Sequence, residues 1–408
     1  MYMGYLSNIY FITKGIIKIK GFPVLTLTML MIGTAYALTY PYMSLFGVNE
    51  LNMTPTKLGI FMSLSAVSGI ILSSILARLS DRNVPRKIIL IISLCSGGIG
   101  YAFLAFARDY GTVLVISIVF LGVSSASFPQ LFAYARDHVS TVMHDKLAVS
   151  TNFLRMCFSG TWVFFPFVGA LVIAAAGYRG LFIVASAFYL INALLVILQF
   201  HIQRVSITDH TEKSNLNQTK AGFSVPVLFS LCAFTLIETA GAMSIIALPL
   251  LITISLHGSD SDVGLLFGAS AALEVPFMLL FGIIALKVKM RSLILLGAGI
   301  NVVYYTFLSL VWEVWQVAPL QIISAGAVSI LMGIGITYFQ ELMPGSTGTA
   351  TTLFSNTSRV GSMVGGVATG FIMQQLGLPF VFVCCAILSA ASFLLLVCIR
   401  LFTVKMSI

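Results

Sequence analysis

Two stretches of the chain carry the same mark: residues 149–174, VSTNFLRMCFSGTWVFFPFVGALVIA, and residues 347–373, TGTATTLFSNTSRVGSMVGGVATGFIM. Each is long enough to cross a bilayer as a helix, and each holds a lone Arg three residues after an Asn. Asn152-x-x-Arg155 aligns with Asn356-x-x-Arg359 at a shift of 204 (356 − 152). Two further matches fall beside it. Leu58-Gly59-Ile60 aligns with Val263-Gly264-Leu265 at a shift of 205 (263 − 58), and Arg86 with Arg291 at 205 (291 − 86). Three matches at a near-constant shift read as a duplication in which the second half of the chain repeats the first.

Outward from these stretches, apolar runs of roughly 20 residues recur along the whole chain, each enough to span a hydrocarbon core of about 30 Å. Apolar residues make up 59% of the 408 positions and charged ones 9%. A water-facing domain has about a quarter of its residues charged, so this surface faces lipid. Backbone in lipid must satisfy its own hydrogen bonds, which leaves helices or a closed barrel. Unbroken apolar runs, rather than alternating ten-residue segments, select helices. Spans are expected at 24–47, 58–79, 87–107, 111–134, 149–174, 179–201, 224–252, 262–285, 292–312, 317–338, 347–373 and 378–402.

The long hydrophilic segment is QRVSITDHTEKSNLNQTK, Gln203–Lys220. It divides the chain into an N-terminal interfacial or cytoplasmic segment (1–23), a six-helix half (24–202), a cytoplasmic linker (203–222), a second six-helix half (223–403) and a short cytoplasmic tail (404–408). The stretch before the first span lacks a small-residue cleavage site, so it reads as an interfacial helix rather than a removed signal.

The formal charge of +9 sits in short loops, not on one face, which argues against nucleic acid as a partner. Seventeen of the 22 basic residues fall on the side of the termini and the linker, against Lys57, Arg108 and Arg179 opposite. By the positive-inside rule both termini are expected in the cytoplasm. The six cysteines lie within apolar runs and read as small buried hydrophobes, without metal-ligand spacing. The five histidines lie in loops or at span ends, which disfavours an intramembrane enzyme. No cofactor or metal is expected.

Ionisable side chains inside a span cost about 2.5–3.5 kcal/mol on the mildest scale and are functional candidates by default. Four are expected here: Arg155, Arg359, Glu238 and Glu274. Arg offers a fork of donors and Glu an acceptor to a polar substrate, and the two signs can also pair across a cavity. A buried carboxylate can carry a proton, so Glu274 or Glu238 is expected to couple transport to proton entry. Asn152 and Asn356, one turn from each Arg, add amides on nearly the same face. Tyr304, Tyr305, Trp162 and Phe165 are candidate platforms on which a ring-shaped substrate could stack, although most aromatic residues in such a chain face lipid or other helices.

Between spans two and three stands Ala77-Arg78-Leu79-Ser80-Asp81-Arg82-Asn83-Val84-Pro85-Arg86-Lys87. It resembles the major facilitator loop signature, G-x-L-a-D-r-x-G-r-r/k, with the leading Gly and the turn Gly replaced. Asp81 with Arg82, Arg86 and Lys87 suits a charge-assisted clasp that forms in one access state and opens in the other. The resemblance implies the major facilitator fold: an all-α polytopic membrane protein of about twelve helices in two pseudo-symmetric halves of six, moving about a midplane site.

Three further strings narrow the family: Phe128-Pro129-Gln130-Leu131-Phe132-Ala133-Tyr134-Ala135-Arg136, Leu273-Glu274-Val275-Pro276, and Tyr338-Phe339-Gln340-Glu341-Leu342-Met343-Pro344-Gly345. They resemble the bacterial sugar efflux transporters. The resemblance implies a monomeric exporter of small sugars or glycosides, exchanging them for protons, and it matches Glu274 to a family acid. Glu238 has no family counterpart. The alternative is an exporter of drugs or of another small metabolite such as a siderophore. Against a drug/proton antiporter, Ile118 stands where that class carries Arg ahead of Gly122, and Gly160, Pro166 and Gly169 are only a fragment of its span-five pattern.

Overall fold

The computed structural model describes residues 21–82, 84–140, 147–202 and 225–405, and every regular element among them is helical. The expected interfacial segment up to residue 20, the linker from residue 203 and the last three residues lie outside the described residues. Helix α1 (Phe22–Thr39) runs through a tight turn around Pro41 into α2 (Met43–Asn49). Next come α3 (Pro55–Arg82), α4 (Arg86–Phe106) and α5 (Tyr110–Ile116). A widened π turn at Ser117–Leu121 joins α5 to α6 (Gly122–Ser124) and α7 (Ser127–Ser140). There follow α8 (Leu147–Ile202), α9 (Val225–Leu250) with its own π turn at Leu251–Ser255, α10 (Asp260–Ala285), α11 (Met290–Leu308), α12 (Val314–Leu342), α13 (Thr347–Gln375) and α14 (Leu378–Lys405).

Polar caps set where the helices begin. Asp109 accepts the amide of Thr112 at 2.9 Å ahead of α5, and the hydroxyl and amide of Thr112 hold its carboxyl below the usual carboxylate range. Ser259 and Asp262 form a reciprocal capping box at α10, and Glu313 with Gln316 another at α12. These caps start α12 a few residues before the span expected from hydropathy alone. The break between the expected fifth and sixth spans falls inside α8 at Gly177, where φ 64° and ψ −172° form a conformation that essentially only glycine adopts.

Among the described residues, ten helical segments are long and apolar enough to cross a membrane, and one of them, Phe153–Leu198, holds two spans divided at Gly177. Helix α13, with 29 residues, has the length of a span but falls outside the ten. Counting it and the divided segment gives the twelve expected crossings. Its composition explains the difference, because Gly, Ser and Thr displace aliphatic residues where it meets its neighbours. The outward surface is apolar: Phe106, Phe164 and Leu279 each expose 68% of their area, as in a protein surrounded by lipid.

By packing, the chain divides into two compact units. One comprises the described residues up to Tyr42 and those of Val67–Val205; the other comprises those of Met43–Ala66 and Ser206–Ile408. In the first, α8 packs against α1 and α4. Buried polar groups fasten these contacts. Asn192 Nδ2 donates to the Thr28 carbonyl at 3.1 Å, Ser186 Oγ to the Gly98 carbonyl at 2.7 Å, and Thr39 Oγ1 bonds the Tyr101 hydroxyl at 2.9 Å. Such bonds contribute about 0.6 kcal/mol each within a bilayer.

In the second unit, α9 is flanked by α13 and α14, and α12 by α10 and α11. Phe234 centres an aromatic core, with the rings of Tyr338, Phe339 and Phe354 at centroid distances of 6.2, 5.2 and 5.7 Å. Residues 55–66 of α3 belong here because Ser63 Oγ donates to the Met363 carbonyl at 2.9 Å on α13.

Candidate functional site

In the first unit, Arg155, Phe158 and Trp162 follow one another at three- and four-residue spacing along α8 and so share a face. Arg155 is exposed; Phe158 and Trp162 are half-buried. From α1, Tyr36 and Tyr40 meet that face, stacked on each other at 4.7 Å between centroids with planes 20° apart. Trp162 stands edge-on to both, at 5.8 and 6.2 Å, and Phe158 lies 6.2 Å from Tyr36. Phe128 of α7 closes the group edge-on to Phe158 at 4.6 Å. The result is a partly open aromatic shelf on the face of α8 that also carries Arg155, one turn before Phe158.

Tyr36 and Tyr40 were not singled out from the sequence. The signal was present, since two Tyr one helical turn apart in an otherwise aliphatic segment present their rings on one side. Phe165, Tyr304 and Tyr305, the other expected platforms, are not part of this shelf.

In the second unit, Glu274 lies on α10 and is half-buried. Ser270, one turn earlier, donates to Glu274 Oε1 at 3.5 Å, and Ser329 Oγ of α12 donates to the Glu274 backbone carbonyl at 3.0 Å. Pro276 follows and cannot donate to the carbonyl of Ala272, so the helix is weakened within a turn of the acid. An ionisable group thus sits at a soft point of α10.

Glu238 lies on α9, half-buried; its carboxyl has a side-chain hydrogen bond with Ser358 of α13, while its buried Oε1 lacks a partner among the described residues. Leaving such a group unsatisfied costs on the order of 1–3 kcal/mol. The backbone of α13 approaches closely here: a Cβ placed on Gly361 would stand 2.6 Å from Glu238 Cβ. Tyr305 of α11 is within electrostatic reach of Glu238, and its neighbour Tyr304 is faced by Ser324, Gln321 and Ser244. Nearby on the same helix, Asn301 Nδ2 donates to Ser389 Oγ at 3.2 Å.

Arg359 is exposed and, among the described residues, pairs with neither Glu238 nor Glu274. Helix geometry explains this for Glu238. Gly361 points at α9, and Arg359, two residues earlier, is turned by about 200° to the far side of α13. Asn356 is exposed one turn before Arg359. The side chains of Asn152, Asp81 and Arg82 lie outside the described residues.

At the loop signature, Ser80 Oγ donates to Gln130 Oε1 at 3.3 Å. Arg86 and Lys87 are half-buried, and Lys87 Nζ lies 5.5 Å from the centre of the Tyr134 ring. The second half repeats this relation, with Arg291 in electrostatic contact with Tyr338, whose hydroxyl bonds Ser230 Oγ at 3.0 Å. Tyr134 and Tyr338 are 204 residues apart (338 − 134), a fourth match at the repeat shift.

The family description of the Major Facilitator Superfamily matches residues 25–239 and 230–405. A relative named for sugar efflux in Deinococcus radiodurans is 36% identical over 90% of this chain and 95% of its own length. Sugar efflux transporter A of Escherichia coli is 31% identical over 90% of this chain and 93% of its own length. Among solved structures, a bacterial homologue of the human lysosomal transporter Spinster superposes with a TM-score of 0.73 at 14% identity, covering 92% of this chain and 96% of that one. Twelve helical crossings, a repeated sequence and family matches over nearly the full length converge: the chain belongs to the Major Facilitator Superfamily.

Proposed function

We propose that this multi-pass membrane protein exports small sugars or glycosides across a bacterial cytoplasmic membrane by alternating access, in exchange for protons, with both termini in the cytoplasm. The observation that carries the substrate class is the aromatic shelf of Tyr36, Tyr40, Phe158 and Trp162, on the face of α8 that also carries Arg155. A pyranose has C–H faces that pack on aromatic rings and hydroxyls that a guanidinium fork can bond. The names of the sugar efflux relatives support the same reading.

Within this reading Arg155 and Arg359 bind polar substrate, Asn152 and Asn356 add amides beside them, Glu238 lines the pathway and Glu274 carries the proton. Ser270 and the proline-weakened turn beside Glu274 support that assignment, because a carboxyl that gains and loses a proton needs a local partner and a helix able to respond. Asp81, Arg82, Arg86 and Lys87 form the cytoplasmic clasp. The excess of basic residues on one side supports the orientation. The two six-helix halves, 24–202 and 223–403, are the repeated units, and the protein works as a monomer.

Uptake into inverted membrane vesicles tests the substrate class. Labelled lactose or glucose is expected to accumulate in an energised vesicle; accumulation of ethidium with neither sugar transported would replace this reading by drug export.

A further inference from the structure

The repeat places Glu238 opposite an unexpected counterpart. At a shift of 205 (238 − 33), Glu238-Thr239-Ala240 aligns with Gly33-Thr34-Ala35. In each half a glycine lets two helices approach, although the glycines do not occupy matching positions of the repeat. In the first half the small residue is on the first helix, where a Cβ on Gly33 would stand 2.7 Å from Thr161 Oγ1 and 3.2 Å from the Phe158 ring. In the second half the large residue is on α9, and Gly361 of α13 gives way to it. The first-half counterpart of this position carries no acid.

The Glu238 carboxyl is partly engaged, by a side-chain hydrogen bond with Ser358 of α13, but its Oε1 has no hydrogen-bond partner among the described residues, and Arg359 stands on the opposite side of α13. Ser358, which shares the Gly361 face of α13, is exposed, so the acid sits at the margin of the packed core. Tyr305 presents a phenol within electrostatic reach of Glu238. An acceptor with spare capacity beside an aromatic ring is what a hydroxyl-bearing ring substrate requires.

We propose that Glu238 is a specificity-determining residue: its Oε1 accepts a hydrogen bond from one particular hydroxyl of the transported sugar, and Gly361 is the residue that makes room for it. This rests on the sugar-export reading above and deepens it. A site built to bond a hydroxyl rejects the analogue that lacks it, and the rejection disappears when the acceptor is removed.

The test is export of glucose and a set of singly deoxygenated glucoses by full-length protein in proteoliposomes, for wild type and Glu238→Ala. Wild type is expected to lose about tenfold in kcat/KM on deletion of one hydroxyl, as for a hydrogen bond to a charged group. In Glu238→Ala that one discrimination is expected to vanish while the response to the other deletions stays. A purely structural role would lower all substrates alike. If Glu238→Ala does not give a monodisperse protein, the isosteric Glu238→Gln is scored in the same way, with weakened discrimination expected. An unchanged deoxy-sugar profile in the variant, or a wild type that exports glucose without preferring any hydroxyl, overturns the proposal and leaves sugar export standing. A wild type that exports neither glucose nor lactose overturns both.

Discussion

Gly361 on α13 lies against the Cβ of Glu238 on α9, close enough that an added methyl group would stand 2.6 Å from that carbon and 2.7 Å from the Glu238 carbonyl carbon. The neighbours on the far side of this clash include backbone, which cannot swing aside as a side-chain tip would. Gly361→Ala is therefore expected to push the two helices apart and to destabilise the protein by about 1–3 kcal/mol. Gly160→Ala is the control, since a Cβ there meets nothing within 4 Å and alanine favours the helix by up to about 1 kcal/mol. Thermal unfolding of the purified proteins in detergent should show a fall for the first and none for the second; equal midpoints would contradict the close crossing.

A second stability prediction concerns the break in α8. Gly177→Ala forces a side chain into a backbone conformation with φ 64° and ψ −172°, at a cost of about 1–3 kcal/mol. No neighbour crowds the site, so the loss is conformational rather than steric. The unfolding midpoint should drop for any residue placed there, with Ala and Ser nearly alike; an unaffected Gly177→Ala would mean that α8 bends by another route.

Much of this was legible from the sequence. The repeated Asn-x-x-Arg, the apolar runs and the loop signature are local patterns, and the twelve crossings follow from them. The shelf was only partly legible, because Trp162 and Arg155 share a helix and a spacing, whereas the partnership with Tyr36 and Tyr40 depends on how α1 meets α8. The Gly33–Glu238 equivalence was present as a register match, but that Gly361 of α13 makes room for Glu238 needed the structure. Pairing of the acids with Arg359 was a matter of charge arithmetic, and helix phase decided against it for Glu238.

The shelf leads to a prediction about binding. Trp162→Ala removes the ring that stands edge-on to both tyrosines, and Arg155→Ala removes the guanidinium carried on the same face of α8. Each is expected to weaken sugar binding about tenfold, measured by isothermal titration in detergent, with the unfolding midpoint little changed. Unaltered affinity in Arg155→Ala would assign that residue to the structure instead.

Glu274→Gln keeps the size of the side chain and its bond to Ser270 but cannot exchange a proton. Counterflow of labelled sugar across vesicles at equal pH should survive in this variant, and acceleration by a pH gradient should be lost. If a gradient still drives export as in wild type, proton coupling resides elsewhere.

The most direct test of the central claim is transport by the purified protein in liposomes with an imposed pH gradient. With an acidic interior, protons leaving the lumen should drive labelled glucose or lactose inward faster than in liposomes at equal pH, and collapsing the gradient should abolish the difference. Sugar movement no faster than in protein-free liposomes, from protein shown to be folded and inserted, would contradict the account.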